Sequence, residues 1–243
     1  RAVAIQDPRV RVLRDGQNKG LPARLNEIVR LAKGELVARM DADDAMHPLR
    51  LEKQVGFLQA NPELDGVTTG AYLIDAEDRP IALLPGRQPS AQEVLARGGF
   101  LHPSLLARKS WFEAHPYSLD YPRAEDRELF VRTFKTSRLH VLSEPLYFYR
   151  WFGVPRGKTL RIGYRSERKV MWKYGPNLVG WGPSLRLIAL SFGKELLTWF
   201  LEWTHLEKGF QTRRAFQPLL EMDQREALRT LKVIRETCVP GWD

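Results

Sequence analysis

The chain has 243 residues, of which 43% are hydrophobic and 28% are charged, proportions typical of a globular protein with a substantial core. Its single cysteine, Cys238, excludes a disulfide framework within the chain and a zinc site built from several cysteines. The net charge of +9 is unevenly placed, because residues 151–214 carry 12 Lys and Arg against four Asp and Glu. Such a block favours an anionic partner, although an ordinary solvated basic surface is the alternative.

The first elements read as a strand, a helix and a second strand. Residues 9–13 alternate between charged and apolar side chains, which predicts a strand. The pattern then predicts a helix from Pro22 to Lys33, with Pro22 in its first turn and Gly34 as its C-terminal cap. Residues 35–40 predict the second strand. This succession is the repeating unit of a parallel sheet.

Further along the chain, periodicity and breakers predict a series of elements. These are a helix from Pro48 to Asn61, a strand over 66–74, a short helix after the capping-box pattern that begins at Ser90, a strand over 104–107, a helix over 125–135, and closing strands over 141–142 and 146–149. The part beyond Arg150 is basic, rich in Trp and mainly helical. A helix over 184–206 is apolar on most of its surface but is interrupted by charged residues, so it does not fit a membrane span. Burial against the preceding part is favoured over a position on a membrane surface.

Three carboxylates follow the strand over 35–40, namely Asp41, Asp43 and Asp44. In an open α/β sheet, ligands bind at the carboxyl ends of the strands. Carboxylates so close together repel one another unless a cation or a basic group compensates them. Mg²⁺ commonly takes one or two carboxylates together with substrate phosphates. The cluster therefore predicts a metal–phosphate site, and the alternative is that Asp44 caps the next helix.

Several short motifs occur in order along the chain. They are Asn18-Lys-Gly-Leu21, Ala23-Arg-Leu-Asn26, Gly34-Glu35, Asp41-Ala-Asp-Asp44, His102-Pro-Ser104, Glu125-Asp126-Arg-Glu-Leu129 and Pro145-Leu-Tyr-Phe-Tyr-Arg150. The ordered set resembles the family 2 glycosyltransferases of the GT-A fold, over roughly residues 8–150. Each motif is weak alone, and their order and spacing make the resemblance specific.

The resemblance implies an α/β fold, a Rossmann-like mixed sheet of the GT-A type with flanking helices. We expect two regions: a partial glycosyltransferase domain over 1–150, and a basic, Trp-rich, mainly helical C-terminal region over 151–243. The family opens with a βαβ unit whose acidic residues hold the nucleotide base, and the motifs of that unit are not found here. The expectation is therefore a GT-A domain that lacks its first βαβ unit, truncated at the N-terminus.

The resemblance also implies roles for the acidic residues. Asp43 would be a ligand of a divalent cation, Mg²⁺ or Mn²⁺, and Asp41 would assist the metal or contact the ribose of the nucleotide. Asp126 would be the general base that takes the proton of the acceptor hydroxyl, with Glu125 as its neighbour. The alternative for Glu125 and Asp126 is simple charge complementation at a helix N-terminus.

Three further residues are candidates for contact with the donor. Asn18 and Asn26 would position it, and the alternative is that they satisfy backbone groups of the loop and helix. His102 could also approach the donor, although a histidine before Pro-Ser is more often structural.

By resemblance, the activity is an inverting, metal-assisted transfer of a sugar from a nucleotide-sugar donor to a saccharide or lipid-linked acceptor. Polysaccharide biosynthesis for the cell envelope is the expected setting. The expected location is the cytoplasm, with peripheral contact at the inner face of the membrane. No motif for nucleic-acid recognition accompanies the basic block, so no nucleic-acid partner is expected. The alternative is a non-catalytic module, derived from a truncated GT-A domain, that binds glycan, membrane or a partner protein.

Overall fold

The computed structural model of the protein describes residues 5, 7–121, 123–153, 157–204 and 216–237, so Cys238 lies outside the described residues. The helices are α1 (Leu21–Leu31), α2 (Arg50–Ala60), α3 (Ala91–Arg97), α4 (Lys109–Ala114), α5 (Glu125–Thr133), α6 (Lys158–Val179), α7 (Trp181–Trp203) and α8 (Glu221–Glu236). The strands are β1 (Leu36–Ala38), β2 (Ala45–Met46), β3 (Gly66–Ile74), β4 (Pro80–Leu84), β5 (Leu106–Arg108) and β6 (Leu139–Arg150). A 3-10 helix, His102–Ser104, precedes β5.

The strands form one mixed sheet in the order β1-β5-β3-β6-β2, and β4 pairs with β3 outside this path. Strands β3 and β6 run parallel, from the pair Gly66–Leu139 to the pair Ile74–Arg150. The pairings of β1 with β5, β2 with β6, and β3 with β4 and β5 are antiparallel. All nine residues of β3 are buried, which is expected of a central strand covered on both faces. This arrangement confirms the predicted mixed α/β sheet with flanking helices.

The strand predicted over residues 9–13 is wrong. Val10, Val12 and Leu13 are each more than 40% exposed, and these residues form no strand. Alternation alone does not make a strand, because a strand also needs a hydrogen-bonded neighbour, and no described strand pairs with this segment. The parallel strand–helix–strand unit predicted there is wrong as well, since β1 pairs with β5 in the antiparallel sense.

Several local predictions agree with the structure. Helix α1 has its proline in the first turn, although Ala32 rather than Gly34 is its C-terminal cap. Strand β3 has the predicted bounds. Helix α3 has the predicted capping box between Ser90 and Glu93. The two closing strands are one long strand, β6, whose register with β3 shifts midway. Strand β4 and helix α4 were not predicted, because both are short.

The C-terminal helices pack onto the preceding part unevenly. Val170 and Met171 of α6 lie in the main core together with Leu129 and Phe130 of α5. Helix α7 packs along α6, and most of the apolar side chains of α7 are exposed. The prediction that the helix over 184–206 is buried is therefore wrong for its outer face, because only one side of it meets the rest of the protein.

Candidate active site

Residues 41–44, which we call the acidic loop, follow shortly after the end of β1, as predicted. The Nη2 atom of Arg39 lies 2.7 Å from Oδ1 of Asp41. Burial raises the pKa of Asp41, the charge of Arg39 opposes this rise, and the charges of Asp43 and Asp126 add to it. The loop is thus a concentration of negative charge with one buried guanidinium as its compensating cation.

The loop is held in place by strand β6. The hydroxyl of Tyr147 donates to Oδ2 of Asp44 (2.8 Å), and the backbone N–H of Arg150 donates to Oδ1 of Asp44 (2.7 Å). The Tyr147 oxygen also accepts from the backbone N–H of Asp41 (3.2 Å), and Nε of Arg150 donates to the carbonyl of Asp43 (2.7 Å). Burial raises the pKa of Asp44 to about 6, and the two hydrogen bonds oppose that rise. Helix α2 has no side-chain cap, so the alternative role of Asp44 as a helix cap is wrong.

A second buried arginine, Arg50, donates a hydrogen bond to the backbone just after β1. Its Nη2 donates to the carbonyl of Arg39 (2.8 Å), and its Nε donates to Oε1 of Gln54 (2.9 Å). The amide of Gln54 in turn donates to the carbonyls of Val67 (3.0 Å) and Ser104 (2.9 Å). Burial lowers the pKa of Arg50 to about 10, so it stays protonated at neutral pH. This network ties β1, β3 and the 3-10 helix together next to the acidic loop.

The second acidic motif lies at the start of α5. Burial raises the pKa of Glu125 to about 7, the adjacent charge of Asp126 adds to the rise, and Arg39 and Arg123 oppose it. Oδ1 of Asp126 accepts a hydrogen bond from the backbone N–H of Arg127 (2.7 Å). The charges of Arg39 and of both acidic motifs act on one another. Two motifs far apart in the sequence therefore lie close enough for their charges to act on each other and on Arg39.

Asn26 and His102, two of the predicted donor-contacting residues, hold the segment at Tyr117. The Asn26 amide donates to the Tyr117 carbonyl and accepts from the Tyr117 N–H, both at 2.9 Å. Nε2 of His102 lies 2.8 Å from the Tyr117 hydroxyl. His102 is buried, which lowers its pKa well below the ordinary value. The Asn18 side chain accepts from the N–H of Gly20 (3.1 Å), a local loop contact. These contacts are structural, and contact with the donor stays a prediction for all three.

The acidic loop fits a divalent cation of the kind the motifs imply. Among the described residues no group of three or more His, Cys, Asp or Glu side chains is arranged to hold a metal ion. A cation that takes one or two carboxylates plus substrate phosphates needs no such group. Asp43 is exposed, and its carboxylate accepts no hydrogen bond from the described residues, whereas both oxygens of Asp44 are occupied. The Asp43 carboxylate is therefore the one in the loop that is open to a cation, whereas Oδ1 of the neighbouring Asp41 is in an ion pair with Arg39.

Comparison with known proteins decides which family this arrangement belongs to. Residues 1–119, which contain the acidic loop, match the profile described as "Glycosyl transferase family 2". The N-terminal half of the chain therefore belongs to glycosyl transferase family 2. The chain is 32% identical over 148 residues to the putative glycosyltransferase EpsE of Bacillus subtilis, covering 58% of the chain and 52% of EpsE. It is 33% identical over 131 residues to the O-antigen biosynthesis glycosyltransferase WbnJ of Escherichia coli, covering 52% of the chain and 51% of WbnJ.

The chain spans about half the length of these curated relatives. Among solved structures, it is similar to residues 1–349 of S. aureus TarS in complex with UDP. The TM-score is 0.53 at 13% identity, with 90% of this chain and 60% of the TarS chain covered. At this identity the likeness shows a shared fold, the GT-A fold of glycosyltransferases.

Sequence analysis missed three residues that shape the site: Arg39, Arg50 and Tyr147. A signal existed for two of them. Arg39 directly follows the apolar residues 36–38 within the predicted strand, and Arg50 and Gln54 lie four residues apart on one face of a helix. Tyr147 was part of a motif that carried the resemblance, but nothing in the sequence indicated that its hydroxyl reaches the acidic loop.

Proposed function

We propose that the protein is an inverting glycosyltransferase that moves a sugar from a nucleotide-sugar donor to a saccharide or lipid-linked acceptor. The observation that carries this proposal is the ion pair of Arg39 with Asp41 within electrostatic reach of Glu125 and Asp126, so that a motif suited to a cation lies near one suited to accept a proton. Membership of glycosyl transferase family 2 and the GT-A fold support it. The names of the relatives favour polysaccharide biosynthesis as the setting, since WbnJ is an O-antigen biosynthesis glycosyltransferase.

In this proposal the acidic loop holds the donor. Asp43 and Asp41 would bind a divalent cation that neutralises the developing charge of the diphosphate leaving group. Tyr147 and Arg150 hold the loop rigidly, because their hydrogen bonds to Asp44 fix its backbone against β6. Asn18, Asn26 and His102 would position the donor through the segments that they order.

Asp126 is proposed as the general base, and Glu125 as its charged neighbour. The acceptor oxygen attacks the anomeric carbon and forms the new glycosidic bond, while the bond from that carbon to the diphosphate oxygen breaks. The nucleoside diphosphate leaves with the bonding electron pair, and the proton of the acceptor hydroxyl passes to the Asp126 carboxylate. A single displacement of this kind inverts the configuration at the anomeric carbon.

A cytoplasmic location with peripheral membrane contact is part of the proposal. No helix in the described part of the chain combines the length and the apolar character needed to cross a bilayer. Contact through a helix face that lies on the bilayer is compatible with that finding.

The test is to titrate the purified protein with UDP-, GDP-, dTDP- and CMP-sugars by calorimetry, with Mn²⁺, with Mg²⁺ and with EDTA. We expect one nucleotide class to bind in a metal-dependent way, and transfer to an acceptor extract to invert the anomeric centre, as read by NMR. Absence of binding to every nucleotide sugar with either metal would contradict the proposal and favour the non-catalytic module.

A further inference from the structure

The outer surface of helices α6 and α7 is apolar and exposed. We define the hairpin face as the exposed side chains of these two helices. Its apolar members are Ile162, Trp172, Trp181, Leu185, Leu190, Phe192, Leu196, Leu197, Trp199, Phe200 and Trp203, each at least 36% exposed. Trp203 and Leu196 are 70% and 68% exposed. A contiguous exposed patch of this kind marks a site of interaction with another apolar surface.

The two helices lie side by side in opposite directions. At one end the rings of Trp172 and Trp181 are in contact, with centroids 5.8 Å apart. At the other end Arg161 forms an ion pair with Glu202. The exposed apolar side chains therefore lie on two adjacent helices, with tryptophans at both ends of the hairpin.

The carboxylate side chains of the hairpin are at most 25% exposed. Helices α6 and α7 carry three acidic residues, Glu167, Glu195 and Glu202, and each is ion-paired with an arginine. Nη2 of Arg168 lies 2.5 Å from Oε2 of Glu195, and Nη2 of Arg127 lies 2.9 Å from Oε1 of Glu167. The negative charges of the hairpin are thus neutralised within the protein.

Several basic residues of the same two helices, in contrast, are exposed to solvent. Lys169, Lys173, Arg186 and Lys194 are exposed. Arg186 and Lys194 flank a shallow apolar depression on α7 that contains Leu190 and other apolar residues. The face therefore combines Trp, Phe and Leu with basic side chains that form no ion pair with any described residue, which is the composition of a helix that lies in a membrane interface.

We propose that the hairpin face docks on the surface of an anionic lipid bilayer. Its apolar side chains enter the boundary between headgroups and acyl chains, and its lysines and arginines contact the anionic headgroups. Charge selects this occupant over a second copy of the chain, because two such faces would bring the exposed lysines and arginines of one copy against those of the other. The tryptophans at the ends of the face suit the polar–apolar boundary of a membrane.

Docking has a consequence for catalysis, and this consequence alone rests on the proposed function. Glu167 of α6 is paired with Arg127, the neighbour of the proposed base Asp126. Helices α5 and α6 also share the main core. A docked hairpin therefore holds the start of α5 at a fixed position relative to the bilayer, which suits a lipid-linked acceptor.

The test is co-sedimentation of the whole protein with vesicles of phosphatidylcholine alone or of phosphatidylcholine with phosphatidylglycerol. Two variants probe the face: Leu196→Glu with Trp203→Glu removes apolar contact, and Lys169→Glu with Lys173→Glu reverses charge. Matched controls change equally exposed residues elsewhere: Leu119→Glu with Met222→Glu, and Arg30→Glu with Lys33→Glu. Circular dichroism and melting temperature show whether each variant folds.

We expect binding to the anionic vesicles only, weakened by salt and reduced about tenfold or more by each face variant but not by its control. Equal binding to both vesicles, or no binding at low salt, overturns the proposal. It is also overturned if the protein ignores vesicles and sediments as a dimer that Leu196→Glu with Trp203→Glu converts to monomer. Because vesicle binding needs no sugar donor, a failure of the proposed function would leave this result unaffected.

Discussion

Arg39 and Asp41 form an ion pair at the centre of the candidate site, with Nη2 2.7 Å from Oδ1, and the Arg39 side chain is only 7% exposed. Nε and Nη1 of Arg39 are buried and make no hydrogen bond with the described residues. Buried polar groups without partners are rare, and each calls for an explanation. The charge of Arg39 lowers the pKa of both Asp41 and Glu125. The buried guanidinium therefore compensates carboxylates of both acidic motifs.

The first prediction concerns this compensation. Arg39→Met removes the cation that opposes the raised pKa of Glu125, so that pKa should rise above its present value of about 7. The measurement is a carboxyl ¹³C NMR titration of the wild type and the variant. Arg123→Met should produce a smaller rise, because the charge of Arg123 lowers the pKa of Glu125 less than that of Arg39 does. An unchanged Glu125 titration in Arg39→Met would contradict the electrostatic role.

The second prediction concerns stability and pH. Glu125 has a pKa of about 7 in the folded protein against an ordinary 4.5, so it contributes stability below pH 4.5 that is lost as pH rises through 7. The facing groups are Asp126, Arg39, Arg123 and Tyr117.

Glu125→Gln abolishes this loss, so the variant should exceed the wild type in stability above pH 7 by at most about 3 kcal/mol. Denaturant unfolding between pH 4.5 and 8 measures it. The exposed control Glu63→Gln should follow the wild-type curve. Parallel curves for Glu125→Gln and the wild type would show that Glu125 titrates normally.

The third prediction distinguishes the proposed general base, Asp126, from its neighbour Glu125. Asp126→Asn keeps the size of the side chain and loses the proton acceptor, so the rate of transfer should fall by roughly 10²–10⁴-fold while donor affinity is retained. Glu125→Gln should reduce the rate less. Single-turnover rates and calorimetric donor affinities distinguish these effects. A larger loss in Glu125→Gln would assign the base to Glu125 instead.

The fourth prediction concerns the cation. Asp43→Asn should remove Mn²⁺- or Mg²⁺-dependent donor binding, because the exposed carboxylate proposed as a ligand is lost. The melting temperature should change little, since Asp43 makes no side-chain hydrogen bond among the described residues. The measurement is the shift in melting temperature on adding metal and nucleotide sugar, with Glu63→Gln as the control. A full ligand-induced shift in Asp43→Asn would remove the metal assignment.

The fifth prediction concerns the buried network. Arg50→Met leaves the carbonyl of Arg39 and Oε1 of Gln54 without their donor, and should lower the free energy of unfolding by roughly 2–4 kcal/mol. Arg50→Lys should be intermediate, because an ammonium group does not reproduce the forked geometry. The exposed control Arg225→Met should be nearly neutral. Denaturant midpoints measure the difference, and an unaffected Arg50→Met protein would show that the network is dispensable.

Local pattern was sufficient for several parts of the fold. Helix α1, strand β3 and the capping box of α3 were predictable because periodicity, breakers and caps act within a few residues. The acidic loop was recognisable because its carboxylates are adjacent in the chain. The order of the motifs was enough to indicate the family, which the match over residues 1–119 then showed.

Tertiary structure decided what depends on partners distant in the sequence. Residues 9–13 alternate like a strand but have no strand partner among the described residues. A helix cap was the alternative role for Asp44, yet its oxygens are taken by Tyr147 and Arg150, which are brought to it by the pairing of β2 with β6. The helix over 184–206 reads as core, yet it has more apolar surface than α6 can cover. Sequence alone determined which groups are present, and packing determined which of them meet, because hydrogen bonds and burial depend on distances in space.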